Sequence, residues 1–344
     1  MRVTINDIAK AAEVSPSTVS RAIANNPRIS TKTRDKIFKI MKQMNYHPNL
    51  IARSLVNKST RIIALVVPGN TEKVFQHPFF PEILRGIASV AHQSKYNILI
   101  SSVADVNDEK QMINELVKGG VVEGVILMTS RVKDPSIEEL VKMDFPFVVI
   151  GSPTNDDQIN WVDNNNFAIG YELTQHFIEQ GHTRIAFVGV SQEFVAVLDR
   201  FAGYKKALED NRLPIDDSLI IECEYLSNNG YDLMQRSDFQ EKRPTGIIAC
   251  DDFVAFGIIK FLNEQGIKVP EDIIVAGFNN VALSEYFVPS LTSVEVNAFQ
   301  LGIQAFELLF ESINSDFKSV RRAIIPAELI IRDSTCIGSK DQPR

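Results

Sequence analysis

The strongest constraint on this chain is a rhythm. Short apolar runs alternate with amphipathic helical segments from residue 62 to residue 278. The run Ile62 to Val67 is continuous and ends at Pro68-Gly69, as a strand buried on both faces does. Phe80 to Lys95 then carries helical periodicity through Ile83, Leu84, Ile87 and Val90. Apolar strands over 98–103, 122–128 and 147–151 follow, separated by helical segments over 108–119 and 136–143. The rhythm restarts after Val162. Helices over 166–180, 199–211, 230–236 and 252–265 alternate with strands over 185–190, 219–223, 246–250 and 273–278. Alternation of this length means βαβ units and parallel sheets. It predicts two open α/β lobes, each with its own core. Segments 291–295, 297–314 and 324–332 read as a return that closes them. The predicted body spans 61–338, with a first lobe of about 61–161 plus 291–324 and a second of about 162–290 plus 325–338.

The first 47 residues obey a different rule and form a predicted all-α head. Thr4 can cap a first helix, with Asp7 near its N-terminal dipole and Ile5, Ile8, Ala9 and Ala12 as its buried stripe. Ser15 caps a second helix and Pro16 occupies its first position, where the missing N–H costs nothing. Val19, Ala22 and Ile23 then face inward, leaving Ser17, Thr18, Ser20 and Arg21 outward. After the loop Asn25-Asn26-Pro27, a third helix starts at Ser30 or Thr31. Its apolar face is Ile37, Ile40, Met41 and Met44, and Lys32, Arg34, Lys36, Lys39 and Lys42 lie along it. This is the layout of a helix-turn-helix whose second helix enters a major groove. An ordinary helical hairpin would share the pattern, but the charge distribution argues against it. Residues 1–60 carry eleven Lys and Arg against three Asp and Glu, whereas residues 61–344 carry 25 against 40. A basic head on an acidic body meets a polyanion through the head alone.

Tyr46-His47-Pro48 stops the third helix. Residues 48–60 form a linker containing the helix-compatible stretch Asn49 to Asn57, with Ala52, Leu55 and Val56 on one side. Isolated helices shorter than roughly 12–15 residues are marginal in water, so this one should order only when paired or bound.

Open α/β sheets bind ligands beyond the carboxyl ends of their strands, and a cleft between two lobes is the natural place. Several strand ends here are polar: Asp163-Asn164-Asn165 after Trp161-Val162, Asp251-Asp252 after Ile247 to Cys250, and Asn279-Asn280 after Val275 to Phe278. Arg200 opens the helix after Val190. Carboxylates, amides and a guanidinium suit the hydroxyls of a sugar, and Tyr225, Phe79, Trp161 or Phe194 could stack on its apolar face. The same Asp and Asn residues also serve as helix caps and turns, a reading that weighs most for Asp252 and Asn280.

The motif S-x-x-T-V-S-R, formed by Ser15, Thr18, Val19, Ser20 and Arg21, is similar to the recognition helix of the LacI/GalR family of bacterial transcription repressors. The resemblance runs through the whole chain. Tyr46-x-Pro48-Asn49 and Ala52-Arg53-Ser54-Leu55 match the family's hinge segment, in which two helices meet in a dimer and each pushes a leucine into the minor groove; Leu55 would be that wedge. The resemblance implies a body of the periplasmic sugar-binding type and an operator-binding set of Thr4, Ser15, Pro16, Ser17, Thr18, Ser20, Arg21, Asn25, Tyr46, Asn49, Ala52, Arg53 and Leu55. Arg21 and Ser17 are the expected base readers. It supports Arg200 in R-x-x-G-Y, Asp251 before Asp252, and Asn279, alongside Phe79, Asp163 and Tyr225, as effector contacts. Two departures stand out: Glu13 where the family often has glycine, and Gly277-Phe278-Asn279-Asn280 where it usually has an aspartate. The latter, with Pro78-Phe79-Phe80-Pro81, looks most like the subgroup that controls maltose and maltodextrin genes. The implied partners are a pseudo-palindromic double-stranded operator, a small sugar and a second copy of the chain. A protein co-regulator or a non-sugar metabolite is the alternative to the sugar.

Competing classes fit worse. The five histidines are scattered without metal-ligand spacing, and no G-x-S-x-G, P-loop or G-x-G-x-x-G after a strand occurs, so no enzyme, metal or cofactor is expected. A sugar-acting enzyme fused to a DNA-binding head therefore has no support in the motifs. A periplasmic transport receptor would need a signal peptide, and MRVTINDIAK has no apolar segment of that kind. Three widely spaced cysteines and no membrane-length apolar run predict a reduced, cytoplasmic protein.

Overall fold

The structure is a computed structural model and describes residues 3–46, 59–69, 71–103, 105–154, 158–223, 230–236, 243–315 and 319–336. Two compact units divide the chain, Met1–Arg61 and Ile62–Arg344. The first contains helices α1 (Ile5–Ala12), α2 (Pro16–Ile23) and α3 (Thr31–Gln43). Ile8, Ala9, Ala12, Val19, Ala22, Ile37 and Met41 form its buried core, with Ile5, Ile23, Ile40, Met44 and Tyr46 packed half-buried against it. Asp7 accepts from both the backbone N–H and the hydroxyl of Thr4 at 2.8 Å, and this pairing lowers the pKa of its carboxyl. Ser15 Oγ accepts from the Thr18 N–H at 3.2 Å, with Pro16 at the first helical position.

The second unit holds two six-stranded sheets. The first consists of β1 (Ile62–Pro68), β2 (Asn97–Val103), β3 (Gly124–Leu127), β4 (Phe147–Ile150), β5 (Asn160–Asp163) and β11 (Arg322–Ile324) in the order β11-β5-β4-β3-β1-β2, all parallel. Ile63, Leu65 and Val67 pack on one face of β1 and Ala64 and Val66 on the other. Burial on both faces explains the unbroken apolar run. The second sheet consists of β6 (Ile185–Val190), β7 (Ile220–Glu222), β8 (Gly246–Ala249), β9 (Ile274–Phe278), β10 (Thr292–Glu295) and β12 (Glu328–Ile330) in the order β12-β10-β9-β8-β6-β7, with only the β10–β12 pair antiparallel.

One predicted lobe boundary needs correction. Residues from 291 were assigned to the first lobe, but β10 pairs with β9, Thr292 beside Ala276 and Val294 beside Phe278, and so belongs to the second. The return to the first lobe comes at the following helix, α13 (Ala298–Asn314), which packs on β3, β4, β5 and on α5 (Phe79–Gln93). That helix pair is notched by facing glycines: a Cβ at Gly86 would lie 2.1 Å from the Phe299 carbonyl oxygen, and one at Gly302 would lie 2.2 Å from that of Ile83. The first crossing also falls slightly later than predicted, after Asp163, because β5 completes the first sheet.

Three crossings therefore join the lobes, at residues 164–165, 296–297 and 325–327. Asn164 ties them together. Its buried amide donates to the carbonyls of Val296 at 3.1 Å and Ile325 at 2.9 Å, one on each of the other crossings. The Ile325 N–H donates to the Asp163 carbonyl at 2.8 Å, and the Asn297 amide to that of Pro326 at 2.8 Å.

Candidate functional site

On the head, α2 presents Ser17 and Arg21 exposed and Thr18 and Ser20 half-buried. Ser15 Oγ lies 2.8 Å from both the Ser17 and Thr18 hydroxyls, so these side chains are ordered as a group. Lys32, Lys36, Lys39 and Lys42 are exposed along α3. Arg34, on the same helix, is half-buried: its Nη2 donates to the carbonyls of Asn26 at 3.2 Å and Ile29 at 3.4 Å, pinning the preceding loop. Thr4 is exposed with its hydroxyl given to Asp7, Asn25 ends α2 in the left-handed region at φ 56°, and Tyr46 packs on the head core. Glu13 keeps the turn between α1 and α2 at φ 58°, ψ 43° despite its Cβ. Asn49, Ala52, Arg53 and Leu55 lie outside the described residues, as does Tyr225 of the body.

In the second unit, a cavity opens between the lobes at the carboxyl ends of β1, β3, β4 and β5 on one side and of β6, β8 and β9 on the other. Phe79, Asp163, Arg200, Asp251 and Asn279 all line it. The five described side chains expected at the effector site, from five separate segments, thus converge on one space. His77, Phe194 and Leu301 complete much of its wall. Trp161, named as a possible stacking ring, points elsewhere: it packs on the opposite face of the sheet with Ile113, Leu140 and Phe147.

Three polar side chains of this cavity, Asp163, Arg200 and Asp251, are already engaged. Asp163 accepts from the N–H groups of Ser152 at 2.8 Å and Asn164 at 2.7 Å and from the Asn166 amide at 2.9 Å. Burial raises its pKa against these hydrogen bonds and the charge of Arg200. Arg200 donates from Nε to Asn166 Oδ1 at 2.9 Å and from Nη1 to the Cys250 carbonyl at 3.1 Å, and its guanidinium sits 4.4 Å above the Phe278 ring. Asp251 caps α11 (Asp252–Glu264) by accepting from the Val254 N–H at 2.8 Å, and its other oxygen lies 3.7 Å from His77 Nε2 across the cleft. Burial pushes the Asp251 carboxyl up, but His77, the Val254 N–H and Arg200 together outweigh it and hold the carboxyl below its ordinary value. His77 Nδ1 is buried and has no hydrogen-bond partner among the described residues.

The strand end at β9 explains its two asparagines. Asn279 and Asn280 both have positive φ, 96° and 44°, a conformation that short polar side chains tolerate. Asn280 is spent on structure, donating to Glu295 at 2.9 Å and accepting from Arg332 at 2.8 Å. Asn279 lines the cavity. Asp252 is likewise structural. It accepts from the Val281 N–H and from the hydroxyls of Ser284 and Ser293, and burial raises its pKa to about 7. Sequence reasoning missed His77 and the pinning role of Asn164, because neither a histidine before Pro78 nor an asparagine in a polar run announces a contact with distant chain segments.

Among the described residues no helix is long and apolar enough to cross a membrane, and no group of three or more His, Cys, Asp and Glu could hold a metal ion.

Residues 4–49 match the model of bacterial regulatory proteins of the lacI family, and residues 174–335 match that of the periplasmic binding protein-like domain. The HTH-type transcriptional regulator MalR of Streptococcus pneumoniae is 36% identical over 321 residues, which span 92% of this chain and 94% of that protein. The chain belongs to the lacI family. It is a DNA-binding transcriptional regulator and not an enzyme, like its relatives. Two solved structures bear on the body. The transcriptional regulator CelR–cellobiose complex has a TM-score of 0.76 at 27% identity, covering 97% of this chain and all of that one. A staphylococcal probable maltose operon transcriptional repressor has a TM-score of 0.74 at 29% identity, covering 81% of this chain and 99% of that one.

Proposed function

We propose that this regulator is a homodimeric repressor of sugar-utilisation genes, and that a small sugar of the maltose or maltodextrin class, held between the two lobes, controls its grip on a pseudo-palindromic operator. The observation that carries the sensing half is the convergence of Phe79, Asp163, Arg200, Asp251 and Asn279 on one interlobe cavity. Arg200, Asp251 and Asn279 would meet hydroxyls, Phe79 would cover the apolar face of the ring, and Asp163 would hold Asn166 and hence Arg200 in place. The cavity measures ≈ 70 Å³, against about 300–1,000 Å³ for ordinary ligand pockets. The sugar would therefore bind with a lobe movement about the three crossings.

Two heads would read one half-site each, because a two-fold dimer matches a two-fold site. Arg21 and Ser17 would read base edges, with the other exposed α2 side chains and the α3 lysines on phosphates. The hinge stretch 48–60, with Leu55 as its minor-groove wedge, would fold only when two copies meet on DNA. Exposed apolar side chains on the second lobe, Leu283, Tyr286 and Val288, supply a surface that a second copy would cover.

An operator-binding titration repeated with maltose, maltodextrins and unrelated sugars tests this reading, with calorimetry on Arg200→Ala beside the wild type. A sugar that shifts operator affinity and no longer binds Arg200→Ala supports it. Failure of every sugar to bind would transfer control to another metabolite or a protein co-regulator.

A further inference from the structure

The lobes touch again away from their crossings. Ser130-Arg131-Val132 leaves the end of β3 and meets Glu193-Phe194-Val195 beyond the end of β6. The Val132 N–H donates to the Glu193 carbonyl at 2.9 Å and the Val195 N–H to the Ser130 carbonyl at 3.2 Å, so Arg131 and Phe194 form one antiparallel bridge across the cleft. In the first sheet β4 separates β3 from the crossing strand β5. In the second, β8 and β9 separate β6 from β10. The bridge thus closes a side of the cavity that the crossings leave open, and Phe194 is part of the cavity wall.

Arg131 gives this bridge a charge. Its buried guanidinium forks onto Glu109 of α6 (Val106–Lys118) at 3.1 and 3.2 Å and lies 3.8 Å from Asp134. Glu109 also accepts from the Ser136 hydroxyl at 2.7 Å. All these groups belong to the first lobe, so the arginine is oriented and neutralised there whatever the second lobe does. Its Nε lies 3.1 Å from a carboxylate oxygen of Glu193 of the second lobe, an ion pair without hydrogen-bond geometry, and the Glu193 side chain is 54% exposed. One half of the pair is fixed and buried while the other is free to leave for water. That asymmetry suits a reversible catch, because the pair can part without leaving the buried arginine unpaired.

We propose that residues 130–132 and 193–195 are the catch of the sensor: Arg131 captures Glu193 when the lobes close and so seats Phe194 in the wall of the cavity. Arg131 and Glu193 are positioning residues in this scheme, acting on the effector through Phe194; this part rests on the reading of the cavity as the effector site. A sugar would enter only from the fraction of molecules in which the catch is open.

Two substitutions spare the fold. Glu193→Ala removes an exposed carboxylate. Val195→Pro removes the cross-lobe N–H at the first position of α9 (Val195–Asp210), where proline fits a helix, and the preceding Phe194 already has the extended backbone that proline demands. Hydrogen exchange on the full-length, sugar-free protein reads the catch directly. Peptides spanning 129–134, which contain the Val132 amide, should exchange about three- to tenfold faster in either variant, the ratio expected for losing one such contact. Peptides over β3 and β8 should keep their rates. Stopped-flow binding of maltose should show association and dissociation both accelerated by a similar factor, a change that a merely structural pair would not produce. Unchanged exchange over 129–134 in Glu193→Ala and Val195→Pro overturns the catch. So does acceleration spread equally over β3 and β8 in both. If maltose binds neither wild type nor variants, the sugar reading fails while the exchange result still decides the catch.

Discussion

The exposed face of the head and the cavity of the body are built on opposite terms. On α2 and α3, Ser17, Arg21 and the lysines stand exposed on a small apolar core, and their chemistry is available to whatever approaches. In the body, Asp163, Arg200 and Asp251 are bound to other parts of the protein before any ligand arrives. The head can be altered on its surface with little effect on folding. The cavity cannot at these three positions, because each of them also holds a crossing, a helix cap or a neighbouring side chain. The effector proposed for this cavity would act by exchanging hydrogen bonds the protein already makes, and binding there would thereby be converted into movement of the lobes.

The largest expected effect that sharpens this contrast is a pH dependence of the body between about pH 4 and 7. Asp252 has an ordinary value of 3.8 and is raised to about 7 by burial, against the hydrogen bonds from Ser293, Val281 and Ser284. Between these values the folded body holds a proton that the unfolded chain has lost. The associated stability is present in full below about pH 4 and is lost as pH rises through about 7, on the order of 4 kcal/mol in total. Chemical denaturation of wild type and Asp252→Asn across this range checks it. The mutant should lose most of this slope, and a wild-type slope no steeper than the mutant's would refute the assignment. Next in size, Asn164→Ala should cost the body about 2–3 kcal/mol, because the buried carbonyls of Val296 and Ile325 both lose a donor. Its signature in denaturation should be loss of body stability with the head transition unmoved; equal loss in both units would argue against a role confined to the crossings.

The same contrast decides what the sequence could reveal. The apolar rhythm of residues 62–278 disclosed both lobes because the inner strands of each sheet are buried by their own neighbours. Local caps such as Ser15-Pro16 disclosed the helix pair for a similar reason. The strand-end rule picked out Asp163, Asp251 and Asn279, and the family resemblance added Phe79 and Arg200, without showing that they meet. What remained hidden depends on pairings between distant segments. The partner of β10 is β9, and no periodicity reports which sheet a four-residue strand joins. Arg34 looks like any other base on a helix, yet the loop at Asn26 and Ile29 folds back and takes it. Asn164, His77 and Arg131 are legible only once the lobes have been brought together.

Smaller effects belong to the head. If Arg21 reads a base edge, Arg21→Ala should reduce discrimination between operator and altered sites by about 1–3 kcal/mol, with the stability of the head unchanged. Competition binding against single-base operator variants measures this. An equal loss on every sequence would reassign Arg21 to a phosphate contact.

The smallest effect tests whether the head is as tolerant as its open surface suggests. Glu13 occupies a left-handed position that glycine adopts freely, and its ion pair with Lys36 is 3.4 Å long between exposed side chains, which contributes little. Glu13→Gly relieves roughly 1–2 kcal/mol of backbone strain but enlarges the freedom of the unfolded chain, which returns about 0.4–1 kcal/mol of the gain. The head should therefore gain about 0.5 kcal/mol, seen as slower exchange of the Ile37 amide in its core, while operator discrimination stays as it is. A loss of stability instead would mean that the Lys36 pair outweighs the strain, and the head would then share the body's dependence on bonds already made.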